Sequence, residues 1–371
     1  MSTTRRRLIT GVPSVALATM VPGLLHAQTA APAQRRFDPQ PGPWRRFELT
    51  TTVELKGAKG PARVWVPLPS VDSDYQRSLE NTWSGNAALR SASDAKYGAK
   101  MLVADIAEAS AATPVVVTSV FETRSRAVDW SRKAVVQEDA ETLRYWTQAT
   151  DLMPTDGIVR DTAREVTKGA RTDVEKVRLL YDWVARTTFR EPKVRGCGVG
   201  DIKAMLETRN FGGKCGDINA LFVGLSRAAG VPARDVYGLR LVPSAFGYRE
   251  LGGNPASLKG AQHCRAEVFL KEHGWVAMDP ADVGKVMRLE TPEWIKDPTH
   301  PVAAPVYKAL FGGWEGNWLA YNVAHDVALP GSSGPKLGFF MYPQSEHGGS
   351  RVDCLAPDDF KYTITARELT A

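Results

Sequence analysis

The sequence predicts an α+β fold, and three observations predict it. After the N-terminal region, apolar and polar residues alternate in short runs bounded by turns. A helical period takes over near residue 156. A glycine-led helix then precedes a strand–turn–strand pattern between residues 262 and 279. With 371 residues, 43% apolar and 24% charged, the chain is long enough for two or three globular modules.

Taken in order, the chain opens with Thr4-Arg5-Arg6-Arg7-Leu8-Ile9 and a mildly apolar stretch from Val12 to Leu25, with Ala27 and Ala30 as small-residue cleavage points. Residues 1–27 are expected to be a twin-arginine signal peptide, which places the mature protein in the periplasm or outside the cell. The apolar stretch is shorter than the ~20 residues a spanning helix needs, so no stable membrane insertion is expected after removal of the leader. Residues 28–43, rich in Ala, Pro and Gln, read as a linker.

Residues 44–135 are expected to form a small β-sandwich. Phe47–Leu55 alternates, a turn follows at Lys56–Gly60, and Arg63–Pro69 and Val115–Glu122 supply further strands. A core is assigned to residues 136–290. Its helices run from Asp156 to about Gly169, from Asp173 to Thr187 with Val177, Leu180, Tyr181 and Val184 on one face, and from Ile202 to Thr208. Residues 291–371 read as a loop-rich extension packed on the core and ending in a strand near Phe360–Thr365.

The formal charge of +6 includes Arg5, Arg6 and Arg7 of the leader, so about +3 remains after its removal, and no Lys/Arg stripe interleaved with aromatics is present. Nucleic acid is therefore not the expected partner. Four cysteines, Cys197, Cys215, Cys264 and Cys354, are too few for a disulfide scaffold. No C-x-x-C or paired-histidine spacing suggests zinc, and neither metal nor other cofactor is expected.

The chemistry concentrates in Gly212-Gly213-Lys214-Cys215-Gly216-Asp217, which opens a helix carrying Ile218, Leu221, Phe222 and Leu225 on one face and ending before Gly230 and Pro232. A cysteine at a helix N-terminus is favoured as thiolate, and free amides of the first turn can donate to an oxyanion. His263 opens a strand that turns at Glu272-His273-Gly274 and returns to Asp279. An imidazole beside a carboxylate has an oriented tautomer, which is the logic of a Cys215, His263, Asp279 triad. Asp282 is the alternative carboxylate, though it lies beyond Pro280.

These segments, with Leu225–Arg234 and Gly274-Trp275-Val276-Ala277-Met278-Asp279-Pro280, resemble the bacterial transglutaminase-like superfamily over roughly Asp173 to Asp282. The resemblance implies a papain-like core, in which the cysteine-bearing helix packs on an antiparallel sheet bearing His263 and Asp279, preceded by an accessory sandwich. Cys264 departs from the pattern, since members often carry an apolar or aromatic residue there. The superfamily includes cross-linking enzymes, peptidases, amidases and inactive scaffolds. The expected activity is thiolate attack on an amide or peptide carbonyl of a peptide or protein substrate. Water or an amine then resolves the thioester. A non-catalytic binding module is the alternative.

Beyond the core, Trp314–Asp326 is expected to be helical, placing Trp318, Tyr321, Asn322 and His325 on one face. Trp318, Asn322 and His325 are accordingly expected to border the Cys215 cleft and bind substrate. Pairing among Cys197, Cys264 and Cys354 and the oligomeric state stay open.

Overall fold

Alternation builds the first layer. In β1 (Arg45–Glu54) Phe47, Leu49, Thr51 and Val53 turn inward, and the intervening residues face outward. It is followed by β2 (Ala62–Pro67), β3 (Gln76–Ser84), β4 (Ala88–Ser93), β5 (Lys100–Ile106), β6 (Val115–Thr123) and the short β7 (Arg126–Ala127). The computed structural model describes Met1 and residues 35–55, 58–111 and 113–370. The expected leader at residues 2–27 lies outside the described residues, as do Lys56 and Gly57 of the expected turn.

Five helices and two short strands then run to the site: α1 (Ala140–Tyr145), α2 (Gly157–Val166), α3 (Asp173–Thr187), β8 (Phe189–Arg190), α4 (Ile202–Thr208), β9 (Gly212–Gly213) and α5 (Cys215–Ala228). The α3 helix begins where its sequence dictates. Thr172 accepts from the Glu175 amide, and Glu175 returns the bond to Thr172. Three strands follow, β10 (Ala233–Arg240), β11 (Gln262–Leu270) and β12 (Gly274–Met278).

The chain closes with α6 (Pro280–Leu289), α7 (Ala304–Ala309), β13 (Gly313–Trp314), β14 (Trp318–Asn322), β15 (His325–Val327), β16 (Leu337–Phe339), β17 (Gln344–His347), β18 (Ser350–Arg351) and β19 (Lys361–Leu369). The described part of residues 291–371 keeps long connections but threads one helix and seven strands among them. Prolines that read as breakers sit at permitted places, such as Pro280 at the first position of α6.

Two antiparallel sheets make the sandwich, in the orders β19-β1-β6-β3 and β18-β17-β2-β5-β4. A third sheet, β12-β11-β10-β14, carries the core, and α5 packs across β11 and β10 with every residue from Cys215 to Arg227 buried. This is the α+β arrangement expected of a transglutaminase-like core. The C-terminal segment does more than pack on that core. It supplies β14 to the core sheet, β17 to one sandwich sheet and β19 to the other, pairing from Arg46↔Leu369 to Glu54↔Lys361. The described part of the expected linker, from residue 35, also docks: Phe37 is buried with its ring edge-on to Phe246 and Tyr248. Residues 34–371 accordingly form one compact unit. No helix among the described residues is long and apolar enough to cross a membrane.

The expected helix at Trp314–Asp326 is corrected: Trp318–Asn322 is strand β14, paired antiparallel with β10. All five of its residues are buried on both faces, so the period-2 signal is erased and apolar spacing alone cannot separate strand from helix. The pairing skips Tyr321, with Gly238 opposite Ala320 but Tyr237 opposite Asn322, so Trp318 (opposite Arg240) and Asn322 fall on opposite faces of the sheet and the proposed i, i+3, i+4 face does not exist.

Candidate active site

Cys215 is the first residue of α5, and the helix start is fixed by a buried carboxylate. Asp217 Oδ2 accepts from the Lys214 amide at 2.9 Å, while Oδ1 accepts from Val199 at 2.8 Å and Gly200 at 2.9 Å. Burial raises the Asp217 pKa, against these three amides, which favour the charged form. Asp217 thus stitches the 196–200 loop to the helix, a larger role than first-turn stabilisation. The fit requires Gly198, whose φ is +91° and where a Cβ would fall 1.8 Å from Asp217 Oδ2.

The same loop carries Cys197 to the nucleophile position. The Cys197 carbonyl accepts from the Gly216 amide at 2.8 Å. The Asp217 amide bonds Lys214 O at 3.0 Å. Two first-turn amides are therefore occupied, which narrows the expected set of free oxyanion donors at this helix start. The Sγ atoms of Cys197, Cys215 and Cys264 lie within 4.8 Å of one another, all buried, and all four cysteines are free thiols. Hydrogen bonds from the Cys197 and then the Cys264 thiol hold Cys215 well below the usual thiol pKa, against burial, with His263 adding in the same direction. Burial and the loss of the same bonds push Cys264 up.

His263 comes from β11 and Asp279 from the residue just past β12. The register Ala266↔Met278 sets Asp279 one step beyond the pairing, where it turns out of the sheet and caps α6. His263 Nε2 lies 2.7 Å from Asp279 Oδ2 and 3.3 Å from Asp282 Oδ2. Asp282, expected only as an alternative, is brought to the imidazole by the first turn of α6. Burial and Arg240 press the His263 pKa down, but Asp282 and Asp279 outweigh them and carry it up to about 9. Asp282 is itself ion-paired with buried Arg240, which holds it well below the usual carboxylate range.

Two further positions complete the constellation. Asn219, one turn after Cys215, donates Nδ2 to Cys264 O at 2.8 Å and Asp279 Oδ1 at 3.2 Å, and accepts from the Ala281 amide at 3.2 Å. It ties the cysteine helix, the histidine strand and the aspartate together. Its sequence signal is an amide one helical turn after Cys215, on a helix whose middle, Ile218 to Leu225, is otherwise apolar. Trp318 donates Nε1 to the His263 carbonyl at 3.0 Å, and the Arg265 guanidinium lies 4.6 Å from its ring centroid.

A cavity of about 230 Å³ opens on Cys215 and His263. None of Trp318, Asn322 and His325, expected to bind substrate, lines it. Asn322 donates to Phe340 O at 2.7 Å, and His325 Nδ1 sits 3.1 Å from the Tyr237 hydroxyl, with burial holding its pKa well below the ordinary value. All three are buried in the framework behind the site. As metal donors, the three thiols suit a soft ion, whereas His263, Asp279 and Asp282 already face the cationic Arg240 and Arg265.

This geometry is that of a transglutaminase-like core, and residues 160–280, which include Cys215, His263 and Asp279, match the transglutaminase-like superfamily. Over 344 residues the chain is 34% identical to a Haemophilus influenzae protein described only as uncharacterized, covering 87% of this chain and 91% of that protein. The chain belongs to one family with that Haemophilus protein, on a transglutaminase-like core. A solved candidate cysteine protease from Cytophaga hutchinsonii shares the fold at a TM-score of 0.54 and 13% identity, covering 89% of this chain and 93% of that one.

Proposed function

We propose that this protein is an exported thiol enzyme that attacks an amide or peptide carbonyl through Cys215. His263 holds the proton that the leaving amine takes up, and Asp279 orients the imidazole, with Asp282 a second anion at the same nitrogen. The thioester is resolved by water or by an amine, giving hydrolysis or acyl transfer to a peptide or protein substrate. The observation that carries the reading is the convergence, on one cavity, of a thiol at a helix N-terminus and an imidazole held 2.7 Å from a buried carboxylate. Export rests on the twin arginine Arg5-Arg6 and the short apolar run after it.

The test is incubation with a peptide library and a labelled primary amine, read by mass spectrometry. Cleaved, deamidated or amine-labelled peptides that vanish in Cys215→Ala support the reading and name the reaction. Products that persist in Cys215→Ala, or no product from the parent protein, sink it. Protease protection in spheroplasts tests the export route: the parent should be digested, and a leader variant carrying Arg5→Lys and Arg6→Lys should stay protected.

A further inference from the structure

The cavity at Cys215 has an unbalanced wall. Arg190, Arg240, Lys259 and Lys285 line it beside His263, and no aspartate or glutamate does. Two of these cations have carboxylate partners of their own: Arg240 pairs with Asp282, and Lys285 Nζ lies 3.4 Å from Glu250 Oε2. Lys259 sits 4.7 Å from the ring centroid of Tyr362 and is exposed. Arg190 differs from all three, because its Nε is buried with no hydrogen-bond partner among the described residues.

Its position is set by the backbone. Arg190 pairs with Gly213 in the parallel β8–β9 bridge, two residues before Cys215, and Arg190 and Cys215 both line the cavity. A second unsatisfied donor stands on the same wall: Gln262 Nε2, buried without a partner and adjacent in sequence to His263. Two buried donors and four cationic side chains with no acidic residue make a surface that lacks an anionic acceptor. Buried unpaired donors are costly, and a charged acceptor satisfies a guanidinium better than a neutral carbonyl does. The like-charge crowding is felt by its neighbours, since burial and then Arg240, with Arg190 contributing, push Lys285 down to about 8.

We propose that this cavity selects substrates carrying a carboxylate next to the attacked carbonyl, with Arg190 as the carboxylate's ion-pair partner and Gln262 Nε2 as a second donor. The inference rests on the thiol-enzyme reading of Cys215 and adds the substrate class. The carboxylate is either a C-terminal α-carboxylate or an acidic side chain, and both present the same two acceptor oxygens to the fork of Arg190.

Two measurements test it. The first compares alkylation of Cys215 by iodoacetate and iodoacetamide, which differ by one carboxylate, with site occupancy read by mass spectrometry. The iodoacetate-to-iodoacetamide rate ratio should exceed that of N-acetylcysteine amide by roughly tenfold, and fall by roughly threefold to tenfold in Arg190→Gln. Arg190→Lys should fall between the two, and Arg160→Gln, an exposed charge on α2, should keep the parent ratio. Because His263 also attracts the anion, the change on removing Arg190, rather than the absolute ratio, decides the matter. A ratio unaltered in Arg190→Gln overturns the proposal.

The second measurement needs no reactive thiol. Fluorescence anisotropy on Cys215→Ala protein compares BODIPY-labelled alanine–glutamine peptides ending in a free carboxylate, the same peptides as amides, and amidated peptides carrying one glutamate. Tighter binding of either acidic set, lost by about tenfold or more in Arg190→Gln, supports the proposal and tells the two carboxylates apart. Equal binding of all three sets overturns it. Failure of Cys215 to alkylate with either reagent would instead remove the thiol-enzyme reading, and the anisotropy series would still decide the carboxylate preference.

Discussion

Replacing Asn219 with alanine tests the idea that one amide side chain holds the three parts of the site in register. The substitution deletes the bonds to Cys264 O, Asp279 Oδ1 and the Ala281 amide, all in a region where Asn219 is fully buried. Each lost bond to a buried neutral group costs about 1 kcal/mol, and leaving its partner unsatisfied adds a similar amount, while the Asp282 amide that still donates to Asp279 Oδ1 offsets part of this. A net loss of about 2–4 kcal/mol is expected. At roughly 2.1 cal/mol/K per residue, a unit of this length has an unfolding entropy near 0.7 kcal/mol/K, so Tm should fall by about 3–6 °C. The second readout is kinetic. Freed from Asn219, Asp279 loses its tether to α5, and the rate of Cys215 alkylation at pH 6.5 should drop as the imidazole loosens. Differential scanning calorimetry and iodoacetamide kinetics measure the two effects on the same preparation. A Tm within 1 °C of the parent together with an unaltered alkylation rate would refute the reasoning.

The pH dependence follows from the opposed shifts of Cys215 and His263. Cys215 titrates well below an ordinary thiol and His263 up to about 9, so Cys215 alkylation should be nearly flat from pH 6.5 to 8.5, where an ordinary cysteine gains about fiftyfold. Because the folded pKa of His263 is raised, its stabilising contribution is complete below the unfolded value of about 6.5 and is lost as pH rises through about 9, so Tm should decline across that window. His263→Ala should abolish turnover, whereas Asp279→Asn should leave a reduced rate in a folded protein; an active His263→Ala protein would remove the assigned base. Gly216→Ala puts a Cβ 2.7 Å from the Cys197 carbonyl oxygen, and a cost of about 1–3 kcal/mol in denaturant unfolding is expected from the forced shift of that loop. Finally, His325→Ala should lower Tm by unpairing the Tyr237 hydroxyl while leaving Cys215 alkylation at the parent rate; altered alkylation with unchanged Tm would show that the corrected placement of this residue is wrong.

Local signals in the sequence settled the elements that depend on neighbouring residues. The α3 helix runs over Asp173–Thr187 as its capping pair and apolar spacing require, and α5 starts at Cys215 after two glycines. The turn at Gly274, with φ of +73°, brings β11 and β12 into the expected hairpin, so His263 and Asp279 were legible as neighbours. Their contact distance was not, because it depends on one residue of register and on Asp279 leaving the sheet to cap α6. Nor could the sequence show that Asp282 would join them, since the turn of helix that folds it back was masked by Pro280.

What only tertiary structure decided is set by contacts between distant residues. Nothing local announces that β19 pairs with β1 more than 300 positions away, so residues 291–371 read as an extension rather than as part of two sandwich sheets. Strand β14 is buried on both faces, so the alternation that marks a half-exposed strand is absent, and its aromatic and polar residues counterfeited a helical stripe. Cys197, Asn219, Arg190 and Gln262 carried no motif of their own. Their roles arise where a loop, a helix, a short parallel bridge and a strand converge on Cys215. The sequence by itself determined the nucleophile's helix and the hairpin opposite it, because capping, periodicity and turn chemistry act within a few residues. Which charges and donors surround the nucleophile was decided by packing, because burial and electrostatics depend on three-dimensional neighbours that no spacing along the chain encodes.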